Sequence, residues 1–108
     1  MARERFRTLT EQMFYTLLCL REERRGMDIL DRVPEMTGGR VQIGSGTLYT
    51  LLEQFVAEGM IKETQVQGRR RSYLITEKGK AMLEAEVRRL EAQLQDYRLY
   101  FGKEDMVC

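Results

Sequence analysis

The sequence predicts a mainly α-helical chain with one small β-hairpin, and three observations predict it. Apolar residues recur every three or four positions in four separate stretches, which is the helical period. One stretch breaks that rhythm: Ile61, Val66, Tyr73, Leu74 and Ile75 are β-prone and flank the turn-forming run Gly68-Arg69-Arg70-Arg71. The third observation is order, because a helix-length segment precedes this hairpin and a long amphipathic stretch follows it. Helix, strand, basic tip and strand in succession describe a winged helix-turn-helix, extended here by a long C-terminal helix.

Met1 to Arg7 is charged, and Arg3, Arg5 and Arg7 read as a solvated terminus or, alternatively, as a basic arm. Thr8 stands three residues before Glu11 in a capping-box pattern. It would open a core helix carrying Leu9, Met13, Phe14, Leu17, Leu18 and Leu20, in which Cys19 behaves as a small buried hydrophobe. Gly26 then separates a second helix, whose Ile29, Leu30 and Val33 can pack on the first. Pro34 offers no N–H to the carbonyl four residues back, so this helix either kinks near Leu30 or ends at Val33, and it breaks by Gly38-Gly39. Arg40 and Gln42 in the next loop are candidate phosphate contacts.

The helix after Ile43 puts Leu48, Leu51, Leu52 and Phe55 on one stripe for a core. Its other face shows Thr47, Tyr49, Thr50 and Gln54, neutral hydrogen-bonding side chains that can approach a base edge or a phosphate. Ser45 or Thr47 would cap it, and Gly59 would end it. Arg69, Arg70 and Arg71 then crowd positive charge onto the hairpin tip, an arrangement costly by self-repulsion unless a polyanion lies opposite. Thr76 reads as the cap of the last helix, with Glu77 favourably placed in its first turn.

Along that last helix Leu83, Val87, Leu90, Leu94, Tyr97 and Phe101 alternate spacings of four and three, a heptad seam. Glu84, Glu86, Arg88, Arg89, Glu91 and Asp96 between them read as solvated flanks. A helix from Glu77 to Phe101 would be roughly 37 Å long at ~1.5 Å per residue, too long for so small a domain to cover. A second copy of the chain is the expected cover, with packing on the first helix of the same chain alongside it.

A chain of 108 residues supports one compact domain, divided here into a winged helix-turn-helix at residues 1–76 and a dimerisation helix and tail at residues 77–108. The net charge of +1 conceals a local excess: Lys62, Arg69, Arg70, Arg71, Lys78 and Lys80 face only Glu63 and Glu77 in the hairpin region. The sequence has no histidine and only two distant cysteines, Cys19 and Cys108, so it offers neither the commonest general base nor a four-ligand zinc set. Nothing points to an enzyme, a cofactor or a metal. No apolar run approaches the ~20 residues that a bilayer requires, and a reducing, cytoplasmic setting is expected.

Several short runs also carry a resemblance. Thr37-Gly38-Gly39-Arg40-Val41, Gly46-Thr47-Leu48-Tyr49, Glu58-Gly59-Met60-Ile61 and Thr76-Glu77-Lys78-Gly79 resemble the PadR family of bacterial transcriptional regulators over roughly residues 9 to 80. Pro34 departs from the family pattern. The resemblance implies a winged helix-turn-helix with one dimerisation helix, and it places Tyr49 at the DNA backbone. It also implies a flat aromatic effector between subunits; the tryptophan that some members carry on the last helix is absent, leaving Tyr97, Tyr100 and Phe101 as its candidate replacements.

The combined expectation is a homodimeric DNA-binding regulator, a repressor on a palindromic operator. Arg40, Gln42, Ser45, Thr47, Tyr49, Thr50, Gln54, Arg69, Arg70 and Arg71 would contact double-stranded DNA, and Leu83, Val87, Leu90, Leu94, Tyr97 and Phe101 would join the subunits. The rival expectation is a ligand-sensing or protein-interaction module that keeps the fold without specific DNA binding. A structural coiled-coil adaptor fits the arginine turn poorly.

Overall fold

A computed structural model describes residues 8–68 and 70–102. The expected roles of Arg3, Arg5, Arg7, Arg69 and Cys108 therefore fall outside the described residues. The elements run α1 (Glu11–Cys19), β1 (Arg24–Arg25), α2 (Gly26–Met36), α3 (Ser45–Ala57), β2 (Ile61–Gln67), β3 (Arg70–Ile75) and α4 (Glu77–Tyr97), with a π-helical turn at Arg98–Gly102. The architecture is mainly α with a small antiparallel sheet, a winged helix-turn-helix that ends in a long helix.

The three N-terminal helices enclose Leu17, Leu20, Ile29, Val33, Leu48, Leu52 and Phe55, all essentially without solvent exposure. Met60, Ile61, Tyr73 and Ile75 extend this core beneath the sheet. Strand order is β1-β3-β2, so β3 is central. Pairing of β2 with β3 runs from Ile61↔Ile75 to Gln67↔Arg70, with a bulge between Glu63 and Gln65 that accounts for the imperfect alternation of the sequence. Gly68 supplies the turn at φ 63°, a left-handed conformation that a side chain would oppose. Gly79 allows α4 to start hard against the sheet, since a Cβ there would lie 2.2 Å from the Met60 carbonyl oxygen.

Several local expectations change. The cap of α1 is Thr10, not Thr8: its Oγ1 accepts the Met13 N–H at 3.1 Å. The helix starts later because Leu9 is drawn into the core ahead of it. Pro34 neither ends nor interrupts α2, which continues to Met36 before Gly38 and Gly39 turn the chain. In the last turn its missing N–H forfeits a single bond, and the Thr37 hydroxyl donates to the Val33 carbonyl at 2.8 Å. Neither Ser45 nor Thr47 caps α3; both lie inside it, and Gly44 is the N-cap without a side-chain bond. Buried Val41 and Ile43 fix the incoming loop, so the helix begins where Gly44 accepts the Leu48 N–H at 2.9 Å. Thr76 caps α4 as expected, accepting the Gly79 N–H at 3.2 Å.

The regular α4 stops at Tyr97, short of Phe101, and the wider π turn carries Phe101 away from the strict heptad line. Leu83 is half-buried against the chain's own core. Beyond it Val87, Leu90, Leu94 and Tyr97 stand 39% to 53% exposed.

Glu86 is not a solvated flank. It is only 4% exposed, and it accepts the Leu9 N–H at 3.3 Å and the Arg89 Nε at 3.1 Å. A second bond joins its other oxygen to the Arg89 guanidinium. The Arg89 bonds hold its carboxyl below the usual carboxylate range, with the Leu9 amide assisting and burial opposing. A lowered folded-state pKa contributes stability that is complete above the ordinary glutamate range and is lost as pH falls through the lowered value. Glu86→Gln should therefore cost about 1–3 kcal/mol at about pH 7, with the difference from wild type closing in acid. Denaturant titrations of both proteins across the acid range check this.

Candidate nucleic-acid interface

The rotation of α3 about its own axis is set by Leu48, Leu51, Leu52 and Phe55, whose side chains enter the core. At ~100° per residue the direction opposite that stripe falls on Gly46, Thr50, Glu53 and Ala57, all exposed. Thr47 and Gln54 lie on one flank, where Gln54 is half-buried, while Tyr49 and Val56 lie on the other. Thr50 is thus central, as the sequence implied, whereas Gln54 is peripheral. Glu53 was missed by the inventory of neutral side chains, although the helical period alone puts it between Thr50 and Ala57.

Tyr49 is 44% exposed. Its ring lies across the start of α2 so closely that a Cβ on Gly26 would come within 2.9 Å of the ring edge and 3.2 Å of the phenol oxygen. That contact positions the hydroxyl between α2 and the wing. The two-residue strand β1 completes the arrangement, pairing Arg24 with Tyr73 and Arg25 with Ser72. Its side chains divide: Arg24 Nε donates to the Cys19 carbonyl at 2.9 Å, while Arg25 is exposed. Sequence reading passed over β1 because two consecutive arginines carry no strand signal; pairing with β3 makes the strand.

Between the start of α2, the Tyr49 flank of α3 and the hairpin runs a groove of about 740 Å³. Arg25, Tyr49, Glu53 and Val56 border it on one side, and Glu63, Arg70, Arg71 and Tyr73 on the other. Arg71 donates to Glu63 at 2.6 Å, an exposed pair whose carboxylate reinforces the guanidinium charge. Arg70 is exposed and forms no ion pair with a described residue. The arginine tip is therefore already partly neutralised within the wing.

The loop residues differ from expectation in their partners. Arg40 is tied back to α1, donating to Glu11 at 2.6 Å and to the Tyr15 hydroxyl at 3.1 Å. Gln42 keeps an exposed side chain, and its carbonyl accepts from Gln12 at 2.9 Å. Ser45 and Thr47 are exposed in the first turn of α3. At the other end of the chain Tyr97, Tyr100 and Phe101 are 53%, 77% and 62% exposed, and the Tyr97 and Phe101 rings are 6.1 Å apart. They take no part in the groove.

The sequence pattern of the transcriptional regulator PadR-like family matches residues 16–85, the span from α1 into α4. The chain belongs to the PadR-like family. Its members are transcriptional regulators, not enzymes. Solved structures carry the same fold: a PadR family regulator from Clostridium difficile R20291 is 23% identical, with a TM-score of 0.68 over 86% of this chain and 100% of that one. A transcriptional regulator from Clostridium thermocellum is 21% identical, with a TM-score of 0.68 over 83% and 87%. PadR of Bacillus subtilis, solved in complex with operator DNA, is 26% identical, with a TM-score of 0.63 over 71% of this chain and 46% of its own. No curated protein matches the sequence. Among the described residues no helix is long and apolar enough to cross a membrane.

In this PadR-like chain the Gly26 contact meets the far end of a side chain that can move. Gly26→Ala should therefore leave the fold intact at a cost of ~1 kcal/mol while displacing the Tyr49 ring. Thermal denaturation and the Tyr49 ring resonances by NMR read the two effects separately.

Proposed function

We propose that this PadR-like regulator is a homodimeric repressor that binds a palindromic operator, with α3 in the major groove and the wing against phosphates. The observation that supports it best is the proximity of two chemistries: the outer face of α3, neutral except for Glu53, and the arginines of β3 across the groove that the Tyr49 flank of this helix borders. Neutral donors and acceptors discriminate between bases, while guanidinium groups attract any phosphate. The operator complex of Bacillus subtilis PadR, which shares this fold, supports DNA as the partner.

Ser45, Thr47, Thr50 and Gln54 are assigned to the DNA face, with Tyr49, Arg70 and Arg71, and Arg69 at the tip, on the backbone. Gln42 and Arg40 serve as flanking phosphate contacts, Arg40 after exchange of Glu11 for phosphate. Division of labour between residues 1–76 and 77–108 follows, the second part joining subunits through Leu83, Val87, Leu90, Leu94, Tyr97 and Phe101. The exposed stretch of that seam supports a second copy as its cover. Tyr97, Tyr100 and Phe101 are where a flat aromatic effector would be received between subunits. Access to chromosomal DNA sets the compartment as the cytoplasm.

Two outcomes test this function. Alanine at Thr50 and Gln54 should reduce discrimination between the promoter of the chain's own gene and random DNA by about 1–3 kcal/mol per lost base contact, with an unchanged salt slope. Alanine at Arg70 and Arg71 should weaken binding to both DNAs and flatten the salt dependence by about one unit per lost phosphate contact. Fluorescence anisotropy on both DNAs over a salt series reads these parameters; equal binding of the wild-type protein to both DNAs would favour the sensing or protein-interaction module instead. Charged residues at Leu90 and Leu94 should give monomer or unfolded chain by light scattering, since ions would enter a desolvated seam.

A further inference from the structure

The sequence of α3 is SGTLYTLLEQFVA, so Glu53 is its only charged side chain. It lies at the centre of the outward face, and its neighbours there are Gly46, Thr50 and Ala57. Among these it is the longest, and it projects furthest from the helix. It forms no ion pair with a described residue; Arg71 across the groove, whose charge Glu53 reinforces through space, is bonded instead to Glu63 at 2.6 Å. A PadR-like recognition helix would therefore approach DNA with a carboxylate in front to which no described cation is bonded. Against a polyanion that is unfavourable unless a base edge supplies a donor.

The major groove offers few such donors. Guanine presents the N7 and O6 acceptors, thymine an O4 acceptor and a methyl group, and both repel a carboxylate or leave it unpaired. Adenine offers its N6 amine, but N7 beside it is an acceptor that opposes the second carboxylate oxygen. Cytosine offers its N4 amine beside a carbon-bound hydrogen, with no acceptor of its own on that edge. On the reading that this chain binds DNA through α3, we infer that Glu53 determines sequence specificity, accepting from the N4 amine of a cytosine and rejecting half-sites that place an acceptor there. Glu63 differs: its carboxylate is occupied by Arg71, so it acts on every DNA alike.

The test is selection from a pool of random duplexes by the full chain, as wild type and as Glu53→Gln, with circular dichroism to show that both fold. Wild type should select one invariant cytosine per half-site. In Glu53→Gln that position alone should change to adenine, whose N6 and N7 suit a glutamine, while the flanking bases persist. The variant should bind random DNA more tightly and lose roughly five- to 150-fold in discrimination at that base pair. Identical selected half-sites for the two proteins, with affinities raised equally on all DNAs, would overturn the inference and leave Glu53 as a counter-charge to the wing. Absence of any salt-dependent DNA binding by wild type would remove the DNA-binding reading itself, and this inference with it.

Discussion

The burial of one face of α3 is the constraint on which the rest of the structure depends. Leu48, Leu52 and Phe55 are essentially without solvent exposure, and each contributes about 1.5–3 kcal/mol by leaving water. The consequence for function is angular. A turn of one residue, ~100°, would bring Tyr49 or Glu53 towards the core, so apolar burial forbids it and holds Thr50 and Glu53 outward. The same core holds α2 and the sheet, which fixes where the wing stands beside the helix. Side chains that are not themselves buried thus take their position from ones that are.

The wing adds an electrostatic layer to this geometry. Its central strand pairs on both sides, with β2 through a bulge and with the two-residue β1. This brings Arg25 of β1 towards Arg70 and Arg71, although the chain separates them widely. Arg71 does not stand free, because Glu63 from the neighbouring strand holds its guanidinium. A PadR-like regulator built in this way keeps its positive charge local and partly compensated, so on the proposed reading its DNA affinity would depend on an exchange of partners and not on net charge, which is only +1.

Much of the fold was legible because it is written in periodicity. The stripe Leu48, Leu51, Leu52 and Phe55, the turn at Gly68 and the cap at Thr76 follow from local rules that tertiary context did not override. What escaped depends on contacts distant in sequence. Glu86 reads as a solvated carboxylate until the Leu9 amide, far away in the chain, is brought to it. Arg24 and Arg25 become a strand only because β3 needs a neighbour. Gly44 displaces Ser45 and Thr47 as the cap because Val41 and Ile43 anchor the loop before it. Glu53 is a different case, since the period alone would have placed it; a list of residues suited to base contact left it out because a carboxylate is an unusual neighbour for DNA.

The open seam of α4 connects these local features with the proposed assembly. Exposure at Val87, Leu90 and Leu94 is the opposite of what an isolated helix in water favours, and a two-fold copy would cover it while presenting two copies of α3 in opposite senses. Chemical footprinting of the chain on the promoter of its own gene tests that account most directly. Symmetric protection of two major-groove segments, centred one helical turn of about 10–10.5 base pairs apart or a multiple of it, is the predicted result. Protection of a single segment, or of minor-groove positions alone, would contradict it.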